Sequence, residues 1–425
     1  MDAPKLQLLS EKIITPSTPT PHHLRQYNIS YMDQLLCRKY IPMTLFYPHN
    51  EKQISPPSST TLEKSFSDLL SLYYPYAGRI VDNKVVDCND KGAILSEARI
   101  MSTMSDILKQ PFSKVQRTVF QNDLPWSEPR LEHDSLAIAR LTHFGCGGKS
   151  LSLCLTHKLG DSNTLCNFLL HWSALARGIS FPPPQLIGST LLPPNDDPFT
   201  PYMFEVKNQP HTTRRLHFDG ATIDHLVDLI ASQSDIKNAT KAEIVTSILN
   251  SALARAESKM KTSSSPFMIY IPLNFRKLIS PNLSNLMGNF LSFLLVHIKD
   301  ENDLKLPTLI SKIRTEKIRH FKKYKRLDKE DIPSAIRAET GSFPTEFADM
   351  RLSTSLCDYP LYDIDFGWGK PTKVSFGALP TRNTFGIFDG PNGGVVALAV
   401  LDEKIMQEFL RDEQILEYAC LQPGY

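Results

Sequence analysis

The sequence predicts an α/β protein, and three observations lead there. Two apolar alternating runs face each other across a glycine-rich turn in "SLAIARLTHFGCGGKSLSLCLTH". That hairpin feeds through "HKLGD" into a helix-spaced apolar stripe. A proline-crowded stretch then divides the chain into two halves, each of which alternates strand-like and helix-like segments.

The elements follow in order. "TTLEKSFSDLLSLYYPYAGRI" places Leu62, Phe66, Leu69, Leu70 and Tyr73 at helical spacing, and Pro75 and Gly78 end that helix. "RIVDNKVVDCND" reads as a short hairpin turning at Asp82-Asn83. In the next hairpin Leu136, Ile138, Arg140 and Thr142 alternate with Ala137, Ala139, Leu141 and His143, and Gly145, Gly147 and Gly148 supply the turn. Leu151, Leu153 and Leu155 give the return strand one apolar face. After His157, Asp161 and Ser162 are N-cap types, and Leu165, Phe168, Leu169, Trp172 and Leu175 form a helix stripe that stops at Gly178. The prolines of "FPPPQLIGSTLLPPNDDPFTPYMF" fix φ and remove donors, which predicts an extended linker. The second half reads as strand "TTRRLHFD", helices near 221–232 and 241–261, strands "FMIYIPLNF" and "NFLSFLLVHI", a long basic helix at 306–325, and further strands to "GVVALAVL".

Composition narrows the function. The 425 residues are 41% hydrophobic and 22% charged with a net charge of +2, so nothing in the bulk charge draws the chain to nucleic acid or an anionic membrane. The most apolar stretch is too short to span a bilayer, and "MDAPKLQLLSEK" has no signal-peptide pattern. Seven cysteines with no C-x-x-C predict a reducing compartment, with no disulfide framework and no metal site. A cytoplasmic location is the expectation.

The motifs divide unequally. "GGKS" at 147–150 fits a hairpin turn, because a phosphate-binding loop needs an earlier glycine where His143 stands and must join a strand to a helix. Cys154 and Cys166 near His157 leave a Cys–His nucleophile open beside the commoner reading of buried small hydrophobes. "KIRTEKIRHFKKYKR" reads as a solvated basic helix face rather than a phosphate- or nucleic-acid-binding patch. Of the twelve histidines only His157 has an aspartate at +4. "YDIDFGWGKP" packs aromatic, glycine and acidic residues into a turn, with Gly367 and Gly369 suited to unusual φ and Trp368 to a core.

Taken together these residues resemble the plant BAHD acyltransferases, which transfer acyl groups from coenzyme A thioesters. That family carries H-x-x-x-D and D-F-G-W-G; this chain has His157 to Asp161 and Asp365 to Gly369. "ISYMDQL" with Tyr31, "YYPYAGRI", "PLNFRKL" with Arg276, and "MGNF" with Asn289 match its further elements over about residues 5–405. "TPSTPTP" and "DCND" make the chain most similar to the vinorine synthase group, whose members acetylate alkaloid and terpenoid alcohols.

The resemblance implies two similar chloramphenicol acetyltransferase-like α/β domains, 1–180 and 211–425, joined by a crossover linker at 181–210. It implies an active site in a channel between them, with coenzyme A entering one face and the acceptor the other. His157 is then the base that takes a hydroxyl proton, and Asp161 pairs with Arg276 to hold the loop. Asp365, Gly367, Trp368, Gly369 and Asn289 are oxyanion or coenzyme A channel candidates, and Tyr31, Leu356 and Asp358 acceptor-pocket candidates. The co-substrate is acetyl-CoA or another acyl-CoA, with no bound cofactor, and the partner is a small-molecule alcohol, an alkaloid first. The expected enzyme is a monomeric O-acyltransferase; a malonyl- or larger acyl-CoA transferase acting on a terpenoid alcohol, or a non-catalytic ligand-binding member of the fold, is the alternative. The sequence departs from the family at Gly160 and Ser162, and at "TSLCDYP", where Leu356 stands for tryptophan and Asp358 for a basic residue. Loss of the indole leaves room for a bulky polycycle, and a carboxylate at Asp358 would select a cationic one.

Overall fold

The computed structural model describes residues 6–49, 58–110, 115, 118–120, 134–195, 211–260, 266–279, 283–328, 330–341, 351–377 and 382–421. Its strands, in chain order, are β1 (Leu6–Ile14), β2 (Gln26–Asn28), β3 (Tyr40–Tyr47), β4 (Arg79–Ile80), β5 (Val85–Asp87), β6 (Ala93–Ile100), β7 (Ala137–Phe144), β8 (Lys149–Thr156), β9 (Thr212–Phe218), β10 (Phe267–Asn274), β11 (Leu291–Ile298), β12 (Arg351–Ser355), β13 (Lys373–Phe376), β14 (Thr384–Asp389), β15 (Val395–Leu401) and β16 (Cys420–Leu421). They form a six-stranded sheet ordered β1-β6-β7-β8-β3-β13, a seven-stranded sheet ordered β11-β10-β12-β14-β15-β9-β16, and a small sheet β2-β5-β4.

Each large sheet is covered by helices whose apolar faces the sequence announced. Helices Ser59–Leu72 and Ser162–Ala176 pack together over the first sheet. The Phe66 and Trp172 ring centroids lie 4.5 Å apart, and the buried indole N–H donates to Ser65 Oγ at 3.1 Å, so the largest core side chain leaves no polar atom unpaired. On the second sheet, helix Lys241–Met260 is buried along most of its length, because helices Gly220–Gln233, Leu306–Lys325 and Glu403–Phe409 all lie against it. The Leu306–Lys325 helix is the predicted basic one. Its cations are largely paired, Lys312 with Asp303, Arg314 with Glu243 at 2.9 Å, Arg319 with Glu316 at 3.0 Å and Lys323 with Glu339 at 3.6 Å, which is the solvated-face reading. "GGKS" is the turn between β7 and β8, with Gly147 at φ 80°, and not a phosphate loop.

One strand does not respect the division into halves. After β12 the chain leaves the second sheet, runs through "TSLCDYP" and "DFGWG", and adds β13 antiparallel to β3 in the first sheet before returning as β14. "DFGWG" anchors this crossing. The Asp365 carboxylate accepts from the Gly367 and Gly369 amides at 2.7 and 2.9 Å, and both glycines have φ near 87°, at 86° and 88°, where a side chain would be strained. The turn drives two rings into the core of the first half. Phe366 meets Trp172 edge-on at 5.3 Å, and Trp368 meets Tyr47 at 5.3 Å. Tyr47 Oη in turn donates to the Ile364 carbonyl at 2.9 Å.

The predicted linker lies partly outside the described residues, at 196–210. The rest is tied down: Gln185 bridges to Leu286, Met287 N donates to Gln185 O at 2.9 Å, and Tyr31 N donates to Leu192 O at 3.0 Å. Three strands of the first sheet, β1, β3 and β6, were not read from the sequence. In β3, Pro42 argues against a central strand, yet it sits between β8 and β13 at a place where its carbonyl still accepts, from Gly377 N at 3.1 Å.

Because Trp368 and Phe366 fasten the crossing, Trp368→Ala is expected to lower stability by about 3–5 kcal/mol, the cost of deleting a large buried aromatic. Urea unfolding reads this directly; an unchanged midpoint would show that the indole does not hold the two halves together.

Candidate active site

The "HKLGD" loop is built between β8 and the helix that follows. Strand β8 ends at Thr156, a 3-10 turn covers His157–Leu159, and Asp161 caps helix Ser162–Ala176 by accepting from the amides of Asn163 and Thr164, both at 3.1 Å. Gly160 is extended there, not left-handed. Glycine is required by contact: a Cβ would lie 2.5 Å from Thr164 Cγ2 and 2.7 Å from Tyr76 Oη.

Asp161 also faces Arg276 from the second half. The guanidinium donates to both carboxylate oxygens, at 2.8 and 3.1 Å, and both side chains are almost fully buried. Desolvation makes such a pair costly unless every remaining polar atom is matched. Here the matching is nearly complete: Arg276 also donates to the carbonyls of Leu286 at 3.0 Å and Gly288 at 2.7 Å and to Asn274 Oδ1 at 3.2 Å, and Phe290 N donates to Asp161 at 3.1 Å.

A second buried carboxylate holds His157 from the other side. Asp33 forms a capping box with Ser30 and accepts from the Asn289 amide and side chain at 2.7 and 2.8 Å. Asn289 Nδ2 then donates to the His157 carbonyl at 2.7 Å, while His157 N donates to the Lys39 carbonyl at 2.8 Å. Burial pushes the Asp33 carboxyl above its usual range, opposed by these hydrogen bonds. Lys158, buried beside it, donates to the carbonyls of Gln34 at 2.6 Å and Leu36 at 2.9 Å, and its pKa is pushed down to about 7 by burial. Both backbone groups of His157 are thus fixed, one by each half of the chain.

The imidazole opens on a cavity of about 170 Å³. Leu36, Cys37, Lys39 to Pro42, His157, Asp161 and Ser162 line it from the first half, and Asn274, Leu291, Thr354 to Leu356, Tyr359 and Phe388 are among the residues that line it from the second. The wall is mainly apolar with a few polar groups, the usual makeup of a small-molecule site. The ring is half-buried; its Nδ1 is buried with no hydrogen-bond partner among the described residues, which leaves Nε2 as the nitrogen on the cavity side. Burial holds its pKa below the ordinary 6.5, so the neutral imidazole dominates at neutral pH. A larger open cleft of about 1200 Å³ lies at the far ends of β10 and β12, by Phe267 and Arg351, and no residue of the "HKLGD" loop lines it.

The structure therefore brings together His157, Asp161, Arg276 and Asn289, and places Leu356 on the cavity wall. It does not bring the others there. Tyr31 is buried in a separate apolar cluster with Phe275 and Phe290, its hydroxyl on Thr340 at 3.1 Å and the Arg337 guanidinium over its ring. Asp365, Gly367, Trp368 and Gly369 do not line this cavity, because the motif turns into the core of the first half. Asp358 is exposed at φ 69°, pairs with Lys241 at 3.2 Å and does not line the cavity. Cys154 and Cys166 lie in the core with their thiols held well above the ordinary value by burial, Cys166 at about 12, which removes the nucleophile alternative. Sequence reasoning missed Asp33, Lys158, Asn274, Thr354 and Tyr359 as parts of the site. Asp33 was within reach, since Ser30-x-x-Asp33 is a capping-box spacing.

Comparison with known proteins agrees with this geometry. A family model described as the Transferase family matches residues 5–416. The 17,18-epoxy-17-hydroxycur-19-ene N-malonyltransferase of Strychnos nux-vomica is 35% identical over 98% of this chain and 91% of its own. Vinorine synthase of Rauvolfia serpentina is 30% identical over 95% of this chain and 96% of its own. The crystal structure of vinorine synthase matches with a TM-score of 0.84 at 29% identity, covering 97% of this chain and 98% of that one. F. sporotrichioides TRI101, at 15% identity and a TM-score of 0.71 over 93% of this chain and 99% of that one, shares the fold. A two-sheet architecture, an H-x-x-x-D loop tied across the halves by an arginine, and matches that run the length of the chain converge on one conclusion: the protein belongs to the Transferase family of BAHD acyltransferases and is an acyl-CoA-dependent acyltransferase similar to vinorine synthase.

Proposed function

We propose that the chain moves an acyl group from an acyl-CoA to a hydroxyl of a plant specialised metabolite of the alkaloid or terpenoid kind, with His157 as the general base. The observation that carries this is a neutral imidazole fixed at both its backbone groups and opening on an apolar cavity lined by both halves. TRI101, which shares the fold, was crystallised with coenzyme A and T-2, and the Strychnos nux-vomica relative is by name an N-malonyltransferase, which supports an acyl-CoA as co-substrate. Relatives differ in the acyl group: the Strychnos nux-vomica protein is named an N-malonyltransferase and a Catharanthus roseus relative a deacetylvindoline O-acetyltransferase. One chain supplies both walls of the cavity, which supports a monomeric enzyme.

The steps follow from the groups present. The acceptor hydroxyl gives its proton to His157 Nε2 as its oxygen bonds to the thioester carbonyl carbon. The carbonyl oxygen takes the negative charge of the tetrahedral intermediate and needs a donor nearby. The hydroxyl of Thr354, on the cavity wall, is the donor we assign in place of Trp368. When the carbonyl re-forms, the carbon–sulfur bond breaks, and the leaving thiolate recovers the proton from the imidazolium to give free coenzyme A. The apolar wall strengthens both charge interactions by excluding water. Asp161 takes no proton: both of its oxygens are occupied by Arg276 and by backbone amides. The Asp161–Arg276 pair is the brace that keeps the loop carrying His157 against the second half.

Three expectations test this. His157→Ala is expected to lose about 10²–10⁴-fold in kcat, followed as release of free thiol from the thioester with a panel of alkaloid and terpenoid alcohols; near-wild-type turnover in a folded variant would end the assignment. Since burial lowers the His157 pKa, the ring protonates only below pH 6.5, and the acid limb of a kcat/KM–pH profile is expected there rather than at or above that value. Asp161→Asn and Arg276→Met, each of which strands a buried partner, are expected to lose about 3–5 kcal/mol of stability together with activity. Calorimetric melting separates this from chemistry, for full stability with lost rate would make Asp161 a participant in proton transfer.

A further inference from the structure

We propose that Ser162 and Tyr359 form a pair of hydroxyls that reads a second oxygen on the acceptor, beside the hydroxyl that is acylated, so that the enzyme selects alcohols with a neighbouring hydroxyl or carbonyl. The proposal rests on the acyl-transfer reading above and goes on to name a feature of the acceptor.

The geometry comes from one corner of the cavity, where Asp161, Ser162, Asn274 and Tyr359 all line the wall. Asn274 fixes this corner, because its amide is committed at both ends. Its Oδ1 accepts from the Arg276 backbone amide at 3.1 Å and from the guanidinium at 3.2 Å. Its Nδ2 donates to Asn163 Oδ1 at 3.2 Å and reaches Tyr359 Oη at 3.4 Å. Tyr359 therefore stands toward Asn274 as an acceptor, and its own proton needs an acceptor elsewhere. Burial pushes the phenol up to about 12, so that proton is present at neutral pH.

Ser162 brings the second hydroxyl. It is the first residue of helix Ser162–Ala176, directly after the capping Asp161, and it is half-buried on the cavity wall. Among the described residues the Ser162 hydroxyl makes no hydrogen bond, and that of Tyr359 makes only the one with Asn274. Much of the remaining wall is apolar, with Ile41, Pro272, Leu291, Leu356 and Phe388. A hydrocarbon pressed into the corner would strip water from both hydroxyls with nothing in exchange, whereas an oxygen placed there offsets the loss. A site built to hydrogen-bond an oxygen discriminates against the analogue that lacks it.

The acceptor is the favoured source of that oxygen. Its reacting hydroxyl must sit within hydrogen-bond reach of His157, and the loop that carries His157 leads directly into Ser162. The same wall holds two departures from the family: Ser162 stands where glycine is usual and Leu356 where tryptophan is usual. The coenzyme is common to the family, so a hydroxyl peculiar to this chain is matched to what varies, the alcohol. The two neutral hydroxyls suit a neutral oxygen, since the nearby charges of Asp161 and Arg276 are already spent on each other.

The test is release of free thiol from acetyl-CoA and malonyl-CoA with borneol, 2,3-bornanediol and 3-hydroxycamphor as acceptors. It compares the full chain as wild type, Ser162→Ala, Tyr359→Phe and the double variant, with folding checked by melting. Per hydroxyl, wild type is expected to favour the diol and the hydroxyketone over borneol by about 10–100-fold in kcat/KM, the worth of two neutral hydrogen bonds. Each single variant is expected to narrow that preference, and the double variant to bring it toward unity. No preference in wild type, or an unchanged ratio in the double variant, overturns the proposal. An equal loss for all three alcohols overturns it too, as does a rise in KM for the thioester alone, which would put the pair on the pantetheine amides. If no alcohol releases thiol from wild type, the acyl-transfer reading fails first and takes the proposal with it.

Discussion

The buried ion pair between Asp161 and Arg276 is the constraint on which the rest of the site depends. One carboxylate does two jobs at once. It caps the helix that leaves the "HKLGD" loop, and it receives the guanidinium of the other half. A charge so deeply buried is tolerable only if its partner stays in register, so the two halves are held to one relative position at the place where the base is mounted. Around it every neighbour is arranged to finish the matching: Asn274 accepts from Arg276 and donates toward Asn163 and Tyr359, and the Gly288 carbonyl accepts from both Arg276 and Thr164. Asp33 and Asn289 repeat the device on the other flank of His157, with a neutral amide in place of the guanidinium.

This arrangement explains why the two motifs behave so differently. His157 needs accurate placement and also access to a cavity, so its loop sits at the seam, where both halves grip it. "DFGWG" needs neither. Its glycines and aspartate make a tight turn whose purpose is to put two rings in a core, and the chemistry-like look of a tryptophan beside an acid is a packing signature. The apolar lining and the occupied Asp161 also decide what the cavity does with charge. The aspartate expected to attract a cation lies outside it.

Much of this was legible in the sequence, for identifiable reasons. The helices at Ser59–Leu72 and Ser162–Ala176 and the β7–β8 hairpin are specified locally, by apolar spacing, caps and turn glycines, so they read correctly. His157, Asp161 and Arg276 were found together because family resemblance carries information across 115 residues of chain that no local pattern holds. What failed was tertiary. Trp368 and Tyr31 carry polar handles that suit a site, and only the path of the chain shows that each is turned into a core. Strand β3 was missed because its proline is neutral in effect only where the neighbouring strands happen not to need a donor.

The exchanged strand β13 has a consequence for how the protein is made. Tyr47, on β3, is joined to Ile364 across 317 positions of sequence, and β13 pairs along that same strand. On the ribosome the first half emerges long before its sixth strand, so β3 waits as a bare edge while most of the second half is synthesised. Such an edge is a template for pairing with another nascent chain. The native sheet closes only when the final quarter arrives, which makes folding of the two halves a single late event and truncated chains prone to aggregate.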